Sequence, residues 1–155
     1  MKSFLLKNNI PILKWSLVPN EVYFEGNVPE GYALAVCPSE NIIILDVDVK
    51  NGKNGFLNIP DKIFLEIEKT FNYYTKSGGK HYFINYTGNK VLLNTSTKYG
   101  LDLRIGAKPG NSGGYVKWNH HTDIRHCIHL INESSNEANQ WLEGLFQGVK
   151  QLNND

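Results

Sequence analysis

Ile42-Ile-Ile-Leu-Asp46-Val-Asp48-Val49 is an apolar run that turns acidic at alternate positions. Side chains alternate along a β-strand, so Asp46 and Asp48 share one face about 7 Å apart, while Leu45, Val47 and Val49 share the other. Two carboxylates on a hydrophobic strand repel each other and lose hydration unless a cation sits between them, and oxygen-liganded divalent metals are the usual remedy. The same spelling also occurs at solvated strand ends, so the dipeptide pattern alone leaves both readings open.

Upstream, Tyr32 to Cys37 is rich in Val, Leu and Ala, and Pro38-Ser-Glu-Asn41 is turn chemistry. An antiparallel hairpin of two central strands, 32–37 and 42–49, is the expectation. Residues 1–32, with Pro11, Pro19, Pro29, Gly26 and Gly31, hold no sustained period and read as an irregular lead-in anchored by Trp15. Downstream, Asn51-Gly-Lys-Asn-Gly55 reads as a loop. Pro60 suits the first turn of a helix over 60–73, whose Ile63, Phe64, Ile67 and Phe71 fall on one face.

A strand over His81–Tyr86 follows Ser77-Gly-Gly-Lys80, and further strands are expected near 91–93, 101–105 and 113–118. Ser134-Ser135 can cap a terminal helix over 134–152, where Ala138, Trp141, Leu142, Leu145, Phe146 and Val149 form one stripe. The sum is a single α+β domain, 1–155, with a motif-bearing core over 33–120 and a mixed, mostly antiparallel sheet of five to seven strands.

The composition agrees with one folded domain: 155 residues, 41% hydrophobic and 20% charged. No apolar run approaches the ~20 residues of a membrane helix, and Met1 to Lys7 lacks a secretory leader's pattern. Cys37 and Cys127 are too few for a disulfide framework, which points to a reducing cytoplasm. The net charge of +1 hides a division. Between Lys50 and Lys117, ten lysines and Arg104 outnumber Asp61, Glu66, Glu68 and Asp102 by seven, and the flanks carry six net negative charges. A basic middle suits a phosphate-rich ligand, although solvated surface lysines produce the same count.

Two further segments carry chemistry. In Gly100-Leu-Asp102-Leu-Arg104, strand alternation puts Asp102 and Arg104 on one face and Leu101 and Leu103 on the other. A third carboxylate suits a two-metal phosphoryl-transfer site, with Arg104 reaching a phosphate; an ion pair on an exposed strand face is the plainer reading. Thr75-Lys76-Ser77-Gly78-Gly79-Lys80-His81 combines glycines, lysines and a histidine that can cradle a phosphate. Its spacing is not that of a P-loop, and taken by itself the segment reads first as an ordinary turn before a strand.

Taken in order, Asp46-Val-Asp48, Ser77-Gly-Gly-Lys-His81 and Leu101-Asp102-Leu-Arg104 resemble the motifs of the bifunctional primase–polymerase (prim-pol) domain of the archaeo-eukaryotic primase superfamily. The likeness spans about residues 10–120 and includes Ala33-Leu-Ala-Val-Cys-Pro-Ser39, Asp48-Val-Lys-Asn-Gly52 and Gly113-Gly-Tyr-Val-Lys-Trp118. The resemblance implies a fold pairing a small α/β unit with an RNA-recognition-motif-like sheet, with the active site in the cleft between them. It implies template-directed nucleotidyl transfer in phage, plasmid or mobile-element replication. Asp46, Asp48 and Asp102 would be catalytic and hold Mg2+ or Mn2+. His81 would contact the nucleotide's phosphates, helped by Lys80, Arg104, Ser77 and Gly79.

The implied partners are a dNTP or NTP and single-stranded DNA or a primer–template, with a replicative helicase or other replication protein beside them, in the cytoplasm of a bacterial or archaeal host. A fragment of a larger primase-helicase is a further expectation. The rival readings are a non-catalytic module that binds single strands or nucleotides, and a two-metal nuclease. Zinc at His120-His-Thr-Asp-Ile-Arg-His126-Cys127-Ile-His129 is disfavoured, because the spacing fits no common zinc motif. Among Tyr73, Tyr74, Tyr82, Phe83, Tyr86, Tyr99, Tyr115 and Trp118, most are expected in the core and about two exposed to stack on bases.

Overall fold

The computed structural model describes residues 1–39, 41–106 and 114–147. In chain order its elements are β1 (Lys2–Lys7), β2 (Ile10–Pro11), β3 (Tyr32–Cys37), β4 (Ile42–Val47), β5 (Val49–Lys50), β6 (Lys53–Asn54), α1 (Asp61–Ile67), β7 (Asn72–Tyr74), β8 (Lys80–Asn85), β9 (Thr95–Ser96), β10 (Leu101–Ile105), β11 (Val116–Lys117), β12 (Asn132–Glu133) and α2 (Asn136–Phe146). The architecture is α+β with mostly antiparallel pairing. One sheet runs β11-β3-β1-β2, and a larger one runs β12-β8-β4-β10-β9 with β7 also on β8. Among the described residues no helix is long and apolar enough to cross a membrane.

The expected hairpin of 32–37 with 42–49 does not form. β3 pairs with β1 and β11, whereas β4 lies between β8 and β10 in the other sheet. The reason lies in the composition of β4, which is apolar on both faces. Ile43, Leu45 and Val47 pack with α1 and α2 through Ile63, Ile67, Ala138, Leu142 and Phe146. Ile44 faces the other way, into a second cluster with Val36 of β3, Val116 of β11, Phe83 and Trp118. A strand needing cover on both sides takes a central position, and β3 supplies part of that cover instead of pairing beside it.

The lead-in is more ordered than its composition suggested, because β1 pairs over six residues with β3. Trp15 does anchor it, stacked on Phe4 at 5.7 Å and edge-on to Tyr115 at 5.3 Å. The first helix is shorter than 60–73, with Pro60 at its N-cap. Beyond Ile67 the chain bonds elsewhere: the Thr70 hydroxyl donates to the Phe83 carbonyl at 2.7 Å and the Phe71 N–H to that of Leu130 at 3.0 Å. Phe71 therefore enters the second cluster and not the helix stripe.

The strand at 101–105 matches its expected bounds, that at 113–118 reduces to β11 for its described part, and near 91–93 only Leu92 makes a bridge, to Gln147. In α2 the Ser135 hydroxyl caps the Ala138 N–H at 3.1 Å, and Ala138, Leu142 and Phe146 are buried. The helix expected over 134–152 ends at Phe146, where Gln147 turns extended and bridges to Leu92, and Val149 lies outside the described residues.

Candidate metal centre

The pairing of β4 with its neighbours decides the site. Asp46 stands directly opposite Asp102 of β10 and opposite His81 of β8, and His81 stands opposite Tyr73 of β7. Tyr73, His81, Asp46 and Asp102 thus form one row across four strands, and paired residues share a sheet face. Asp48 follows the end of β4. Its N–H donates to the Gly100 carbonyl at 2.9 Å and its carbonyl accepts from Gly55 N–H at 2.8 Å, which fix the backbone two residues beyond Asp46. Asp46, Asp48 and Asp102 each bring a carboxylate oxygen within 4.8 Å of the others, all half-buried.

Three glycines permit this approach. A Cβ on Gly79 would stand 2.0 Å from the Val47 carbonyl oxygen, and one on Gly55 would stand 2.1 Å from that of Gly100. Gly100 itself has φ +77°, a conformation that side chains disfavour. The electrostatics of the cluster are repulsive. Burial, then Asp46, then Asp102 push the Asp48 carboxyl above its ordinary value, with Lys50 and His81 opposing them. A divalent cation would relieve that repulsion, and an all-oxygen donor set suits hard ions such as Mg2+, Ca2+ and Mn2+ alike.

Around the carboxylates, the His81 Nε2 lies 3.3 Å from Asp46 Oδ1. Arg104 places Nη2 3.7 Å from Asp102 Oδ2 and donates from Nη1 to its neighbour's carbonyl at Leu103 (3.1 Å). Asp102 also accepts the Thr97 N–H at 3.2 Å. Asp46, Asp48, His81 and Arg104 line a cleft of about 470 Å3, whose other wall brings Leu6, Ala33, Tyr115 and Lys117 from the smaller sheet and its approach. Ser77, Lys50 and Lys76 line it as well.

Two of the expected phosphate-binding residues, Lys80 and Gly79, do not line this cleft. Lys80 points to the opposite side of the sheet, where its ammonium donates to both Glu68 oxygens (3.0 and 3.1 Å) and to Asn72 Oδ1 (3.1 Å). Consecutive strand residues face opposite ways, so Lys80 and His81 cannot both turn to the triad. Gly79 is buried against Val47, and close packing of the two strands accounts for the missing side chain.

Lys50, Lys117 and Tyr73 also stand at the site, although none belongs to the three sequence motifs. A signal for Tyr73 existed: the Thr75 N–H donates to the Gly79 carbonyl (2.9 Å), and a hairpin centred there pairs residue 73 with residue 81. Lys117 comes from the other sheet and left no such trace. Among the eight aromatic residues considered, Tyr74 (67% exposed) and Tyr99 (44%) are the exposed pair, while Tyr73, Tyr82, Phe83 and Trp118 are buried. His120 of the histidine-rich segment packs edge-on against Phe71 and accepts the Thr122 N–H at 3.1 Å. Compared with family models and with curated proteins, the chain matches none.

Proposed function

We propose that this protein is a metal-dependent nucleotidyltransferase of the DNA primase–polymerase type, adding nucleotides to a primer on a template in phage, plasmid or mobile-element replication. The observation that carries the reading is the meeting of Asp46, Asp48 and Asp102 within 4.8 Å, two of them, Asp46 and Asp48, on the wall of a cation-lined cleft. Bound Mg2+ or Mn2+ would supply charge neutralisation and activation of the attacking oxygen in phosphoryl transfer.

The chain's own residues divide the remaining work. Arg104 stands beside the carboxylates and can donate to triphosphate oxygens, His81 presents its Nε2 to the same space, and Ser77 offers a hydroxyl on the same wall. Lys50, Lys76 and Lys117 add positive charge around the cleft. A second cleft of about 420 Å3, lined by Phe24, Tyr32, Trp118, His120 and His121, shares Ala33, Lys76 and Asn119 with the first. Rings beside cations are what a single-stranded template needs. A cleft flanked by two sheets also suits the prim-pol arrangement that the sequence resembles.

The test is primer extension with purified protein, Mn2+, dNTPs and a primed template. Wild type should extend the primer, and Asp46→Ala and Asp48→Ala should each lower the rate at least about a hundredfold, since two-metal catalysis depends on these ligands. Shortening of a labelled single strand by Mn2+ without nucleotides would identify a nuclease instead. DNA binding without any product would leave a binding module.

A further inference from the structure

Tyr73 is 7% exposed, and its ring packs at 5.2 Å from both His81 and Trp118 and at 5.9 Å from Phe71. Its hydroxyl meets three groups, one of them the Asn119 backbone. It donates to the Lys117 carbonyl at 3.2 Å, and it lies 2.9 Å from His81 Nδ1. A tyrosine hydroxyl has one proton and accepts with its oxygen. With that proton given to Lys117, the short contact to His81 requires Nδ1 to carry a hydrogen and donate it. Burial, then Asp46, push the Tyr73 phenol upward, so the hydroxyl keeps its proton.

We propose that Tyr73 is the positioning residue for His81: its hydroxyl holds the Nδ1–H edge of the ring, so that Nε2 is aimed at Asp46 and into the cleft. This rests on the nucleotidyl-transfer reading for its functional consequence, and on geometry alone for the orientation. Lys117 belongs to β11 of the smaller sheet, whereas Tyr73 and His81 belong to β7 and β8 of the larger one. One hydroxyl therefore ties the two cleft walls together and sets the ring between them. Fixing the partner nitrogen of a histidine is the ordinary way to decide what its other nitrogen presents.

Two measurements test it. Long-range 1H–15N correlation on the metal-free, nucleotide-free wild-type protein should show His81 with a proton on Nδ1, and Tyr73→Phe should shift those ring signals. An Nδ1 without a proton, or spectra identical in the two proteins, overturns the proposal. Phenylalanine keeps the packing ring and removes only the hydroxyl. Second, calorimetry with Mn2+ and a non-hydrolysable nucleoside triphosphate should show Tyr73→Phe binding the triphosphate about fivefold more weakly, the worth of one hydrogen bond. In a His81→Ala background Tyr73→Phe should have no further effect, whereas an undiminished loss there overturns action through His81. If wild type binds no triphosphate, nucleotidyl transfer fails while the ring measurement still decides the placement of His81.

Discussion

Burial and the facing carboxylates of Asp46 and Asp102 hold Asp48 in a position where its charge is unfavourable, with its carboxyl pushed upward. A raised carboxyl opposes folding once it ionises, so this group favours the fold less as pH rises from its unfolded value through its folded one. Asp48→Asn should accordingly raise the melting temperature of the metal-free protein by about 1–3 °C, the scale of relieving a partly solvated repulsion. The same variant should lose most of the thermal shift that Mn2+ produces in wild type, because ligand stabilisation scales with affinity. Thermal scans with and without Mn2+ check both, and a lower metal-free melting temperature would contradict the electrostatic account. The three carboxylates were legible as acids alternating with apolar residues. Lys80 lies on the sheet face away from His81, as strand parity requires. Its burial with Glu68 became visible only once α1 and β8 were in place.

At the scale of elements, the turn between β7 and β8 is where sequence and structure assign different work to the same glycine. Ser77-Gly-Gly-Lys80 suggests a phosphate cradle, yet Gly79 is the point at which β8 passes against the end of β4, with no room for a Cβ beside the Val47 carbonyl. Gly79→Ala should destabilise the protein by about 2–3 kcal/mol, as overpacking against backbone does. It should also weaken Mn2+ binding by displacing Asp48, the next residue along. Denaturant unfolding and metal titration measure the two effects, and a variant with wild-type stability would remove the packing explanation. The terminal helix was legible from its cap and stripe. The first helix was overextended because Phe71 continues the helical spacing while belonging to a different core, and periodicity does not say which core a residue enters.

For the whole molecule, the excess of cations between Lys50 and Lys117 resolves into separate roles. Lys50, Lys76, Arg104 and Lys117 line the cleft, Lys62 pairs with Glu137 at 3.1 Å, and Lys80 is committed to Glu68. If the cleft tracks a strand, replacing Lys76 and Lys117 together by alanine should weaken single-stranded DNA binding. The slope of log affinity against log salt should become shallower by about 1.4, roughly 0.7 for each lost phosphate contact. Fluorescence anisotropy across a salt series measures this, and an unchanged slope would place the DNA elsewhere.

What the sequence by itself determined is the alternation that puts acids beside apolar residues, the order of the three motifs, the terminal helix and the α+β class. Each rests on local periodicity, which neighbouring residues along the chain specify. Only the tertiary structure decided that β3 and β4 belong to different sheets, that Asp102 falls opposite Asp46, and that Lys117 closes the cleft from the far wall. Strand pairing joins residues far apart in the chain, and its choice depends on how two faces of β4 are covered at once, which no local pattern encodes.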